Sequence, residues 1–225
     1  MAELFLPFKK ALEKFGTPEL GEKLSQADFS AYRGRLPDSL LQFWEQYGLG
    51  VWMKGYFQFC NPEKYRSILK FVFGNDPEFR PERSHVIGFS AFGQLLVWNE
   101  DYRTMYIDML YHEVLCHERF KPEPEISGDV TIGIAVHGVD DEANDPPDQN
   151  GNDLYKRTLK ACGELAYGQI YALRLAPALG GAILVENFRP ASALAAMAIS
   201  AQTAPFELRD STTPQVKAVR LMGME

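Results

Sequence analysis

Three groups of residues in this chain have the types and spacing to do chemistry. His112, Cys116 and His117 lie within six positions and offer imidazole and thiolate groups of the kind that hold zinc. Their spacing lacks the paired CxxC or HxxxH geometry of a zinc site, and a fourth ligand would have to come from elsewhere. No metal is therefore expected. Asp140 to Asp153, DDEANDPPDQNGND, holds six acids and no base. Asp148, Asn150 and Gly151 form a fragment of a calcium-loop pattern, but Pro146 stands where the first carboxylate would fall and the terminal Glu is missing, which excludes an EF-hand and leaves a solvated loop or, as the lesser alternative, a looser calcium or magnesium site. Asp140 and Asp141 are adjacent carboxylates, yet nothing fixes a partner or pocket for general acid or base work. No GxSxG elbow, P-loop or GxGxxG is present, since Gly48-Leu49-Gly50 runs into Val51-Trp52-Met53. Neither a cofactor nor a catalytic residue is expected. The third group is aromatic: Trp44, Trp52, Tyr56, Phe57 and Phe59 would stack a ligand or, as such side chains more often do, fill a core.

The elements that must position these residues follow from periodicity. Leu4, Phe5, Phe8, Leu12 and Phe15 share one helical face and Gly16 follows as a stop. Pro37 at a first-turn position opens a second helix, apolar around most of its girth through Leu40, Leu41, Phe43, Trp44 and Tyr47. Val51 to Phe59 reads as a strand or hairpin, and Asn61-Pro62 caps a third helix with Tyr65, Ile68, Leu69 and Val72 as its buried stripe. HVIGFSAF, QLLVWN, TMYIDML and HEVLC, between His85 and Cys116, read as an antiparallel meander. The proline-punctuated stretch Phe120 to Glu125 is an exposed boundary between residues 1–120 and 126–225. Beyond it, Val130 to Val139 fits helix or strand equally, a helix follows Leu154, GQIYALRLAPALGG is a short strand entering a loop, and a helix spans Pro190 to Gln202 with the proline at its start. FELRD is a last strand. The expected fold is α+β, with helices packed on an antiparallel sheet in two closely packed subdomains.

Composition bounds the function. A chain of 225 residues, 46% hydrophobic, buries a sizeable core. Its net charge of −7 argues against gripping a nucleic-acid backbone and makes any charged partner basic. Three widely separated cysteines, no signal-type leader in MAELFLPFKKALEKFG and no apolar run of about 18 residues together predict a cytoplasmic protein that does not enter a membrane.

LPDSLLQFWEQYGLGVWMKGYFQFCNPEKY, followed by DPEFRPERSHVIGFSAFGQLLVWNE, resembles the GAD-like domain of bacteria, and its opening LPxxLLxFWxxYGxG also resembles the SUKH-type immunity superfamily. The stretch from DVTIGIAV through DLYKRTLKACGELAYGQIYALRLAPALGGAILVENFR to AISAQ is similar to the domain that follows the GAD-like domain in immunity proteins of type VI secretion. Related chains often read GEIYGFVPALALGG where this one has GQIYALRLAPALGG at 168–181, with Gln169 for an acid, so no role of that acid is carried over. The resemblance implies an immunity protein that binds and blocks a cognate toxin, commonly a nuclease, without catalysis. Nuclease toxins carry basic surfaces, so the acidic stretch is the expected toxin-binding face, through Asp140, Asp141, Glu142, Asp145, Asp148 and Asp153. The loop with Pro177, Gly180 and Gly181 is a second expected contact. The alternative is an enzyme or small-ligand sensor with a pocket between the subdomains.

Overall fold

The structure is a computed structural model and describes residues 3–223. The chain opens with α1 (Leu6–Phe15), then β1 (Glu19–Glu22) and α2 (Gln26–Tyr32). A reciprocal capping box starts α2: the Asp28 amide donates to Ser25 Oγ at 3.1 Å and the Ser25 amide donates to Asp28 Oδ2 at 2.9 Å. Helix α3 (Asp38–Tyr47) follows Pro37, which sits at the cap and not inside the first turn. Strands β2 (Leu49–Trp52) and β3 (Phe57–Phe59) form the hairpin, and α4 (Pro62–Phe73) is capped by Asn61, whose side chain accepts the Glu63 amide. The meander is β4 (Ser84–Ser90), β5 (Gln94–Asn99), β6 (Arg103–Asp108) and β7 (Glu113–Leu115). One turn of helix, α5 (His117–Phe120), leads into the exposed residues Lys121, Pro122, Pro124 and Glu125.

Past that stretch come α6 (Gly128–His137), α7 (Tyr155–Cys162), β8 (Gln169–Leu173), β9 (Phe188–Ser192), α8 (Ala193–Ser200), β10 (Glu207–Asp210) and β11 (Lys217–Leu221). Two sequence expectations are corrected here. The helix expected from Pro190 begins at Ala193; residues 188–192 are strand, and Ser192 supplies the cap by accepting the Ala195 amide. A proline fits a strand that pairs on one side only, and a serine three residues before a helical amide is the better cap. The tail beyond FELRD is also a strand, β11, paired antiparallel with β10.

Among the described residues, nine strands form one sheet in the order β1-β2-β3-β4-β5-β6-β7-β10-β11, and β8–β9 pair separately. Neighbours are antiparallel except β10 on β7, which is parallel. A parallel neighbour needs a long crossover, and here residues 116–206 supply it. The sheet is covered on both faces, which is why β5 reads as an unbroken apolar run. Leu96 and Trp98 point into one core with Phe43, Trp44, Ile132, Val136 and Tyr155; Leu95 and Val97 point into the other with Ile68, Leu69, Met197 and Phe206. Each core draws on both sides of the Phe120–Glu125 stretch, so the two parts of the chain are closely packed. The fold is α+β. The aromatic group lies in the first core: Trp44, Trp52, Tyr56, Phe57 and Phe59 are all buried, with Trp52 and Phe59 rings 5.1 Å apart edge to face.

Candidate functional site

The acidic segment is a folded loop held by its own carboxylates, running from the end of α6 to the start of α7. Asp140 pairs with Lys14 on α1 and accepts the Glu142 amide at 2.8 Å, which together hold its carboxyl below the usual range. Asp145 accepts the amides of Tyr155 at 2.7 Å and Leu154 at 3.0 Å, so it closes the N-terminus of α7 from ten residues upstream. Burial nonetheless pushes its pKa up. Asp148 is fully buried at the side chain and accepts from Arg157 Nη1 at 2.7 Å, and from the amides of Asn150 and Asn152. The guanidinium holds that carboxyl well below the ordinary range. Glu142 makes an exposed pair with Lys156 at 2.8 Å. Asp141 and Asp153 remain, with no ion pair or side-chain hydrogen bond among the described residues. Of the six acids, Glu142 and Asp153 are exposed, Asp140 and Asp141 are half-buried, and Asp145 and Asp148 are turned inward onto backbone amides.

The second expected contact is a loop from Arg174 to Leu184. Residues Pro177–Leu179 make a 3-10 turn, and Gly180 follows it at φ 90°, the left-handed region that favours glycine. A side chain at Gly181 would meet the Leu175 carbonyl oxygen at 1.9 Å, so the backbone folds back on itself there. The structure brings the two predicted regions together: the Gln149 amide donates to the Ile183 carbonyl at 3.0 Å. Gln169, which stands where related chains carry an acid, uses its Oε1 to accept the Ala166 amide in the turn before β8.

Between the sheet and the α6-to-α7 loop lies a cleft of about 290 Å³, lined among others by Tyr56, Leu96, Tyr106, Ala135, Val139 and Asn144. A small adjoining pocket reaches Ser90, Gln94 and Asp108. Burial pushes both Tyr106 and Asp108 up. Asp108 spends one oxygen on the amides of Leu110 and Tyr111, and Ser90 accepts the Gln94 amide. No histidine, cysteine or lysine lines either cavity. The histidines and thiols lie elsewhere in structural settings. His85 is buried against Glu100 at 2.9 Å, His112 contacts the Ser200 carbonyl at 2.9 Å, and burial pushes the Cys116 thiol up to about 12. Among the described residues no group of three or more histidine, cysteine or carboxylate side chains is placed to hold a metal ion. Nor, among the described residues, is any helix long and apolar enough to cross a membrane.

Comparison with known proteins assigns the two parts of the chain in order. Residues 7–111 match the GAD-like domain, and residues 138–203 match the C-terminal domain of the type VI secretion immunity protein Tdi1. All nine residues expected to contact a partner fall inside the second match. No curated protein matches the chain. Among solved structures, Atu4351 from Agrobacterium tumefaciens is 48% identical, with 97% of this chain and 99% of that one covered and a TM-score of 0.94. A GAD-like domain joined to a type VI immunity domain, in a fold shared over nearly its full length with that relative, places the chain in the GAD-like family of type VI secretion immunity proteins.

Proposed function

We propose that the protein protects its host by binding a cognate toxin directly in the cytoplasm and blocking it without chemistry, and that the toxin is a nuclease with a basic surface. The observation that carries this reading is the junction of the acidic loop with the 174–184 loop through Gln149 and Ile183, which joins the exposed charges of Glu142 and Asp153 and the half-buried Asp141 to the turn at Pro177, Gly180 and Gly181. An acidic rim speeds encounter with a basic partner and fixes its orientation. The cleft beside the sheet supports the alternative, a small-ligand sensor or enzyme, less well: Asp108 and Ser90 serve their own turns, and no nucleophile stands beside a base there. Co-expression with its cognate toxin is expected to rescue growth, and the purified pair is expected to associate. Protection without association would overturn direct binding and point to enzymatic detoxification.

A further inference from the structure

The β8–β9 hairpin, residues 174–179 and α8 enclose an apolar groove of about 370 Å³. Leu175, Leu179 and Ile199 stand at its mouth, 49%, 60% and 67% exposed. Helix α8 is the unusual element. Its inner face, Ala193 and Met197, is buried in the core, yet the outer face carries Ala195 and Ile199 into solvent. A helix that is apolar all round is ordinarily covered all round. From Pro190 to Phe206 the sequence holds no charged residue at all.

Charge selects the occupant. The only charged side chains lining the groove are Arg174 and Arg189, both exposed and neither in an ion pair or side-chain hydrogen bond among the described residues. In a protein of net charge −7, this is a locally positive rim around an apolar floor.

We infer that this groove receives an apolar segment of the cognate toxin whose edge carries carboxylates facing Arg174 and Arg189; the inference rests on the toxin-binding reading. Eight residues of α8 span about 12 Å, room for two turns of a partner helix presenting apolar residues three and four apart. The acidic loop and the arginine rim then hold unlike parts of the partner: the toxin's basic surface meets the acidic loop while its acidic, apolar segment enters the groove.

The test uses this chain and its cognate toxin in an inactivated form. Ile199→Asp and the pair Arg174→Glu/Arg189→Glu are each expected to weaken toxin affinity at least tenfold, measured by calorimetry. All three positions are exposed, so melting temperatures should stay near the parent value. Hydrogen exchange of α8 and residues 174–179 should slow in the complex. Parent-like affinity in both variants, with the unaltered protein binding tightly, would overturn the groove and leave toxin binding intact. Loss on Ile199→Asp alone would overturn the carboxylate edge. A concentration-dependent dimer that Ile199→Asp abolishes, with toxin affinity unchanged, would give the groove to a second copy. No association by the unaltered protein would overturn the inference together with the reading beneath it.

Discussion

The side chain of Gln58, wholly buried on β3, grips the backbone at Gln169: its Nε2 donates to the Gln169 carbonyl at 2.9 Å, and its Oε1 accepts the neighbouring Gly168 amide at 2.7 Å. One amide thereby satisfies a donor and an acceptor at the start of β8, a strand outside the main sheet. This pair ties the segment bearing the 174–184 loop and the apolar groove to the centre of the GAD-like part.

Gln58→Leu keeps the volume and strands both backbone groups. A buried polar group left unpaired costs about 1–3 kcal/mol, so denaturant unfolding should show a loss in that range. Unchanged stability would mean that water or a shift of β8 replaces the bonds.

The acids of the loop that hold its fold and those that make no internal bond have different readouts. Asp141→Lys with Asp153→Lys touches no internal bond, so stability should hold while association with the toxin slows and its dependence on salt flattens. Asp145→Ala removes the acceptor for the first amides of α7 and should cost about 1 kcal/mol. Stopped-flow mixing at low and high salt, beside thermal melts, separates the two; parent-like association in the folded double variant would make the loop a connector only.

Asp76 fastens the end of the chain. Its buried carboxylate pairs with Arg220 on β11 and accepts the amides of Glu78, Phe79 and Gly223. Burial alone would raise its pKa, but these donors outweigh burial and hold it at about 2. The folded value lies below the unfolded one, so the carboxylate stabilises the fold above the ordinary Asp range and that stability is lost as pH falls toward about 2. Asp76→Asn should destabilise the protein by about 3 kcal/mol at neutral pH. Its melting temperature should also decline less steeply than the parent's between pH 4 and 2; parallel declines would show that other carboxylates set the acid limb.

The stretch between the two parts should be the first to be cut. Glu125 is exposed and followed by Ile126, whereas Glu123 precedes a proline, so a glutamyl protease is expected to nick after Glu125. The fragments should then co-elute, because β10 pairs with β7 across the nick and both cores are shared. Fragments that separate without denaturant would show that those contacts are weaker than the covalent link.

What the sequence determined by itself is what short-range physics decides. Asn61 before Pro62 fixes a helix start because the cap and its amide are two residues apart, and the four apolar runs from His85 to Cys116 fix a meander because hairpin pairing needs only neighbours. The long GAD-like motif identified the family from contiguous residues. Tertiary structure decided the rest. Polar β1, with the sequence ELGE, and β11 become strands only because a sheet edge is offered to them, by β2 and by β10. The parallel contact of β10 with β7 spans some ninety residues that no local pattern records. Six carboxylates look alike in sequence; whether one faces solvent depends on the amide or guanidinium that the fold brings within about 3 Å, as Arg157 is brought to Asp148 and Tyr155 to Asp145. The groove is likewise invisible in the chain, since Met109, Ile170, Leu179 and Ile199 meet only when the hairpin, loop and α8 close on one another.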